Sequence, residues 1–513
     1  MSDWTSGYRT DMGYVHSYCP ELNPLRITLA FLNAGLAPPK QEMCCELGFG
    51  QGVSVNMHAA ASAAQWWGND FNPNHAFFAR QLAEASGSGA KLSDESFAEF
   101  CAREDLPDFT FIGLQGVWSW ISNENRAVIV NFIRRKLKPG GVLYIGYNAM
   151  PGWAAFAPLR DLMVQHTEAI TQSSRSMSDR IEAALKFAER LLSIDHAYAR
   201  RNPHMVKCFN ALKDMDRQYL AHELFNRDWH PMSFANLAKW LEPAKVRYVC
   251  SARYLDHLDS LNLTNEQQRF LQEIPDATFR ESVRDMFVDQ LFRCDYWVHG
   301  AQRLSPLERI EALHEIGFVL TVPRASVALT IKSNLGDIAL APQIYEPILD
   351  VLADHRPKKL SDMKAKVSRQ ISQVQLIEAL IVLSGIGHVC AAQEETVVEE
   401  SRARTSRLNR WIVERARSND EINQLACPLI GAAIRASRLT QLFLLASSRG
   451  ESTVESMTRF AWQLYSAQGQ RISKEGKTLE SAKENLDEIK TQARMFIDAQ
   501  LPTLKALGVG LAP

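Results

Sequence analysis

No excess of either charge runs through this chain. Across 513 residues, 57 Lys+Arg face 58 Asp+Glu, for a formal charge of −1. That balance argues against a protein that binds a polyanion by bulk electrostatics, although it leaves room for local basic patches. Clustered cysteine is missing too. Cys19, Cys44, Cys45, Cys101, Cys208, Cys250, Cys294, Cys390 and Cys427 are odd in number and scattered, with no C-x-x-C and no His/Cys group. The pattern excludes a disulfide framework and a zinc site, so no metal is expected, and it points to a reducing, cytoplasmic setting. Apolar runs are short; one of the longest, 376–389, is broken by Glu378 and falls below a membrane span. The opening MSDWTSGYRTD has no apolar stretch of the kind a signal peptide needs. Internal repeats and low-complexity tracts are absent.

Apolar material, by contrast, is ample. A hydrophobic fraction of 46% with 9% aromatics rules out wholesale disorder. The length fits roughly three to four domains. In the first third, strand-like runs at 43–47, 66–69, 109–114 and 142–147 alternate with helix-like runs at 53–65, 72–85 and 125–138. Asn72 can cap the second of these helices, with Pro73 in its first position. Pro139-Gly140-Gly141 reads as the stop after the third. The alternation predicts an α/β fold, a parallel sheet covered by helices. Residues 152–225 and 255–290 read as helical insertions around two later strands, 246–251 and 293–298. Two strand-like runs within 318–341 and helices near 343–354, 360–367 and 371–384 predict a winged-helix-like module. Its 371–387 helix carries only one charge, the acidic Glu378, so it offers no basic recognition face and reads as a protein-docking module. An acidic run, 394–400, reads as a linker to an almost wholly helical tail. The expected domains are therefore 1–300, 301–395 and 402–513.

The chemistry is concentrated after the first strand, at Glu46-Leu47-Gly48-Phe49-Gly50-Gln51-Gly52. Glycines let the backbone turn sharply there and let a ligand come close. A dinucleotide-binding loop would place its third glycine at position 53, which is Val53 here. Glu46 is also a poor neighbour for a pyrophosphate and suits a ligand bearing an ammonium group. S-adenosylmethionine is such a ligand, and its carboxylate can meet the positive end of the following helix. Asp70 lies about twenty residues on, where a carboxylate at a strand end takes ribose hydroxyls. Asp94, before a helical run at 97–101, can accept from an adenine amino group.

E-L-G-x-G-x-G, then Gly68-Asn69-Asp70-Phe71-Asn72-Pro73, then Leu137-Lys138-Pro139-Gly140-Gly141 resembles the class I S-adenosylmethionine-dependent methyltransferases. Tyr18-Cys19-Pro20-Glu21-Leu22-Asn23-Pro24, Gly116-Val117-Trp118-Ser119-Trp120, Tyr147-Asn148-Ala149-Met150-Pro151-Gly152-Trp153 and His222–Trp229 narrow the resemblance. They are similar to bacterial methyltransferases with a methyltransferase regulatory domain, a group that includes lysine methyltransferases of outer-membrane proteins. The resemblance implies a Rossmann-like sheet with a regulatory region near 215–300. It implies a cofactor site of Glu46, Gly48, Phe49, Gly50, Gly52, Asp70, Asn72, Asp94, Ser96, Gln115 and Gly116. Gln115 stands where the group often has His.

For the acceptor, Trp118, Trp120, Tyr147 and Trp153 follow the carboxyl ends of two strands, where open α/β sheets place ligands. These four aromatics, with Asn148 as a polar positioning group, are the expected lining of the acceptor channel, with Trp118, Tyr147, Asn148 and Trp153 as its leading members. Tyr14 and Tyr18 are expected either to close over the site or to pack as a strap. The leading expectation is methyl transfer to lysine of a protein partner, with no nucleic acid and no membrane-spanning segment. A small-molecule methyltransferase with the insertions as a lid, and a non-catalytic S-adenosylmethionine-binding scaffold, stand beside it.

Overall fold

The computed structural model describes residue 8 and residues 12–169, 176–474 and 476–511. Its central sheet is built from β1 (Met43–Leu47), β2 (Gln65–Asn69), β3 (Lys91–Ser93), β4 (Phe109–Gln115), β5 (Leu137–Asn148), β6 (Arg247–Ser251) and β7 (Phe292–Val298). The strand order is β3-β2-β1-β4-β5-β7-β6. β1 pairs in parallel with β2 and β4, and the β2–β3 and β4–β5 pairs are parallel too. β7 runs antiparallel to β5 and β6. Continuous apolar runs explain why these strands lie in the middle: Cys44, Cys45 and Leu47 of β1, and Phe109, Phe111, Ile112 and Leu114 of β4, are all buried. The chain turns one way from β1 to β2 and later crosses back to β4, so the crevice between β1 and β4 is the sheet's topological switch point.

The later chain packs behind this crevice. Every residue of the Val53–Ala61 helix is buried, although only one face of it can rest on the sheet. The other face is covered by the Glu395–Arg415 helix, whose Leu408 and Ile412 share a core with Val53, Met57 and Ala60. Arg404 donates to the carbonyl of Ser62 at 2.8 Å and Gln393 to that of Ala61 at 2.7 Å. The helices Ala157–Ala169, Met177–Ser193, Pro203–Leu212 and Arg217–Leu224 fill the expected insertion and pack on their own core of Met163, Ile181, Leu185, Phe209 and Leu220.

Several sequence expectations need correction. The acidic run 394–400 is not a linker but the start of the Glu395–Arg415 helix, where carboxylates meet the positive end of the helix dipole. The tail is less uniformly helical than expected, because Gln424–Cys427 pairs with Ala432–Arg435 as a hairpin. β3 was not legible: it is three residues long, and its polar ends give no alternation to read. β5 begins at Leu137, ahead of Pro139-Gly140-Gly141, with a bulge that lets Gly140 N–H reach the carbonyl of His299 at 2.6 Å. In 301–395, helices Pro342–Val351, Leu360–Lys366 and Gln373–Gly385 accompany a three-stranded antiparallel sheet. The central strand of that sheet, Gly317–Leu320, precedes the helices in the chain. Among the described residues no helix is long and apolar enough to cross a membrane.

Candidate active site

Beyond the end of β1 the backbone enters the left-handed region at alternate residues: φ is +70° at Gly48, +57° at Gly50 and +70° at Gly52. Crowding adds to the demand for glycine. A Cβ on Gly48 would strike Val117, and one on Gly52 would collide with Ala79 of the next helix. The turn is pinned to β2 by Gly48 N–H, which donates to the Asn69 carbonyl at 2.8 Å. It is pinned to Asp70 by Gly50 N–H, which donates to Oδ2 at 2.9 Å. The other carboxylate oxygen of Asp70 accepts from Asn72 N–H at 3.0 Å and lies 3.1 Å from His75 Nδ1.

These residues open on a cavity of about 210 Å³ at the switch point. Gly48, Gly50, Asn69 and Asp70 form its floor, and Ser96 and Gln115 stand on its sides. Phe71, Phe97, Val117 and Trp120 supply the apolar walls, and Tyr8 and Tyr14 reach it from the N-terminal segment. Asp70 and Asp228 are the charged groups of the wall, which contains no lysine or arginine among the described residues.

The structure brings together Gly48, Gly50, Asp70, Ser96 and Gln115 from the expected cofactor set. The others serve behind the wall. Gly52 starts the Val53–Ala61 helix, Phe49 is buried in the core, and Asn72 caps the Pro73–Ser86 helix. Gly116 turns the chain after β4 with φ +70°, its N–H bonded to the Gly146 carbonyl at 3.0 Å. Asp94 is the outlier: it lies on the surface, half exposed, in an ion pair with Arg80 at 2.6 Å. That arginine's hydrogen bond holds the Asp94 carboxyl below its ordinary range. Ser96 caps the Phe97–Ala102 helix and so turns its neighbour Phe97 into the cavity wall.

Of the expected acceptor lining, Trp120 is in the wall, and Trp118, Tyr147, Asn148 and Trp153 are not. Trp118 and Tyr147 are fully buried, as is Asn148 almost completely. Trp118 Nε1 donates to Met232 Sδ at 3.2 Å, the Tyr147 hydroxyl points to Asp295, and Trp153 Nε1 donates to the Leu291 carbonyl at 2.9 Å. Alternation decides this. In the Trp118–Trp120 turn Trp118 faces the core and Trp120 faces the cavity, so the pair in the motif has split roles. Tyr14 does reach the cavity, whereas the Tyr18 hydroxyl accepts from Ala433 N–H at 3.1 Å and packs away from it. Phe71, Phe97 and Tyr8 were missed; only Phe71, adjacent to Asp70, carried a usable signal.

Two buried carboxyls lie behind the cavity wall, neither of them among its lining residues. Glu46 is 3% exposed, and its Oε2 meets no hydrogen-bond partner. Burial, and then the charge of Asp70, push its pKa up to about 8. Glu223 is 6% exposed and accepts from Asn148 Nδ2 at 2.9 Å. Burial pushes its pKa up to about 7 against the opposing pull of its bonds to Asn148 and Tyr219. A buried carboxyl with an unpartnered oxygen, as Glu46 has, favours a cation beside it. An ammonium-bearing ligand without phosphate fits the lone Glu46 oxygen and a wall that holds no lysine or arginine among the described residues.

A family model described as a predicted methyltransferase regulatory domain matches residues 216–299. Protein sll1526 of Synechocystis sp. is 40% identical over 512 residues, covering 99% of both chains. The structure of PKMT2 from Rickettsia typhi in complex with AdoHcy superposes with a TM-score of 0.66 at 17% identity, over 96% of this chain and 100% of that one. The same protein without the ligand gives 0.67 over 97% and 100%. These two likenesses extend over the whole fold, the accessory regions included.

Proposed function

The chain belongs to the class I S-adenosylmethionine-dependent methyltransferases that carry a methyltransferase regulatory domain, and we propose that it methylates lysine side chains of a protein substrate in the cytoplasm. The observation that carries the methyl-transfer reading is the cavity itself. Left-handed glycines and a pre-oriented Asp70 meet at the β1/β4 switch point, in a wall that holds no lysine or arginine among the described residues.

When bound, S-adenosylmethionine supplies an electrophilic methyl group. The chain's part is to hold, align and dry. Gly48, Gly50 and Gly52 shape the loop for close approach, and Glu46 and Asp70 offer acceptors to the ammonium and ribose ends. Phe71 and Phe97 offer faces for an adenine ring, with Ser96 at its edge. Gln115, held by the Tyr144 hydroxyl, and Trp120 stand toward the acceptor side. Tyr8 and Tyr14 cover the opening and exclude water, which strengthens electrostatic contacts inside. Aromatic faces also attract a methylammonium product. Residues 1–300 form the catalytic unit in this reading, with 301–395 and 402–513 as accessory domains that present the protein substrate.

Labelled S-adenosylmethionine incubated with the enzyme and a cell lysate tests the acceptor. Label in gel bands that yields methyl-lysine on hydrolysis supports the proposal; label confined to small molecules overturns the protein substrate. Failure of the wild-type chain to bind S-adenosylhomocysteine in a calorimetric titration overturns the reading as a whole.

A further inference from the structure

We propose that Glu223 receives the acceptor's ammonium group and takes its proton, so that the acceptor is a primary amine rather than a hydroxyl, a thiol or a carbon. The inference rests on the methyl-transfer reading and deepens it.

Glu223 is placed where a carboxylate is hard to keep. It is 6% exposed and lies in the last turn of the Arg217–Leu224 helix, the negative end of the dipole. Its bonds come from the Asn148 amide at 2.9 Å and the Tyr219 phenol, both neutral. No ion pair reaches it among the described residues. A glutamine would accept the same two bonds without the cost of burying a charge, so these neighbours do not account for the carboxylate.

Its location supplies the account. Asn148 is the last residue of β5, and its N–H donates to Ser119 Oγ at 2.8 Å, between the two tryptophans of the Trp118–Trp120 turn. Two residues back, Gly146 pairs with Gln115 of the cavity wall. Glu223 therefore sits at the carboxyl end of the sheet, behind the part of the cavity wall that Gln115 and Trp120 form. From the N-terminal segment, Tyr8 and Tyr14 rest their rings on His222 at 5.2 and 5.0 Å. Both phenols are pushed up, by burial first, and both also feel the charges of Asp70 and Glu223. The two wall tyrosines thus stand between one carboxylate on the cofactor side and one on the other side. Tyr219 and His222 share its helix, and Arg160 of the Ala157–Ala169 helix is turned to the carbonyls of Leu224, at 2.7 Å, and Asn226.

A lysine ammonium cannot attack until it loses a proton, and desolvation beside aromatic rings makes that loss easier. A carboxyl with a pKa near 7 is matched to accept it. In the step, one N–H proton passes to a Glu223 oxygen and the freed nitrogen lone pair forms the N–C bond to the methyl carbon. The C–S bond breaks with its electron pair left on sulfur, so the sulfonium becomes a neutral thioether and the nitrogen a methylammonium. Glu223 then returns its proton to solvent. A hydroxyl or carbon acceptor carries no cation to offset this buried acid.

The test uses the full chain and a pair of bisubstrate analogues of S-adenosylmethionine in which nitrogen replaces sulfur. One carries a 2-aminoethyl arm, the other a propyl arm of equal length. In the wild type at pH 8 the amino arm should bind at least ~10-fold tighter than the propyl arm. That ratio should collapse below pH 7 as Glu223 is protonated. In Glu223→Gln the ratio should be near one at every pH, with S-adenosylhomocysteine affinity retained and a thermal midpoint at pH 8 no lower than that of the wild type. A wild-type ratio near one, or an unchanged ratio in the variant, overturns the proposal and leaves methyl transfer standing. Failure of S-adenosylhomocysteine and both analogues to bind the wild type overturns both.

Discussion

Gly50 gives its backbone N–H to Asp70 Oδ2 at 2.9 Å, tying the left-handed turn after β1 to the end of β2. With Asn72 N–H on the other oxygen, the carboxylate is fixed before any ligand arrives, so little ordering cost remains at binding. Asp70→Asn should keep the fold but lose one of the loop bonds and the charge together. Its affinity for S-adenosylhomocysteine should fall by about 10-fold or more. Calorimetry on the folded variant checks this, and an unchanged affinity would place the ribose site elsewhere.

The glycines of the loop can be separated from ordinary turn glycines by their surroundings. Gly52 and Gly89 have similar φ, +70° and +74°, yet a Cβ on Gly52 meets Ala79 whereas Gly89 has nothing within 4 Å. Gly89→Ala should cost about 1 kcal/mol, the backbone term alone. Gly52→Ala adds the collision and should cost about 2–4 kcal/mol. Urea melts of the two variants give the comparison, and equal losses would show that Ala79 yields freely.

The loop and Asp70 were legible in the sequence because their chemistry is local. Gly48, Gly50 and Gly52 are forced by backbone angles that neighbours in sequence set, and Asp70 ends a strand that the apolar pattern marks. What lay hidden depends on facing. Trp118 and Trp120 share one short motif, but the turn sends the first into the core and the second into the cavity. Asp94 has the residue type an adenine contact wants, and Arg80, fourteen positions earlier, takes it to the surface. Glu223 stood in a motif that marked the family without revealing its burial, since the Asn148 that holds it lies 75 residues away.

That facing predicts opposite outcomes for two neighbouring tryptophans. Trp118 is fully buried, so Trp118→Ala opens a cavity beside Met232 and should cost about 3–5 kcal/mol in stability. Trp120→Ala removes a wall of the site and should cost less stability while weakening ligand affinity by about 10-fold. Paired thermal melts and S-adenosylhomocysteine titrations distinguish them. A Trp120 variant with wild-type binding of both cofactor and acceptor analogues would remove it from the site.

Arg293 makes the interior sensitive in a different way. It is 5% exposed and meets Asp285 at 2.6 Å, Asp295 at 2.8 Å and Glu281 at 2.9 Å. Asp295 in turn faces the Tyr147 hydroxyl, which links this cluster to the strand that carries Asn148. Arg293→Met leaves several carboxylates buried without a cation and should cost about 3–5 kcal/mol. Arg200→Met breaks an exposed pair with Asp195 and should change stability by less than about 1 kcal/mol. Denaturant midpoints decide the matter; similar small losses would mean that water reaches the Arg293 cluster.

The pH dependence of the ligand-free chain follows from Glu46 and Glu223. Each has a folded pKa raised above the ordinary 4.5, to about 8 and about 7, with burial as the first cause. A raised acid favours folding while protonated, so its contribution is whole below about 4.5 and is lost as pH rises through the folded value. Asp285, raised to about 7 by burial, adds to the same slope. Ligand-free protein should therefore lose stability between pH 5 and 8, the reverse of a chain governed by salt-bridged carboxylates. Glu46→Gln removes one source of that loss: at pH 8 it should stabilise the ligand-free chain by about 2 kcal/mol, with little gain at pH 5. The same change should weaken S-adenosylmethionine, because the unpaired Oε2 it neutralises is the acceptor offered to the ligand's ammonium. Melts across that pH range, with and without ligand, would expose both effects. A Glu46→Gln chain that is no more stable at pH 8 than the wild type would mean that the buried acid is already satisfied without a ligand.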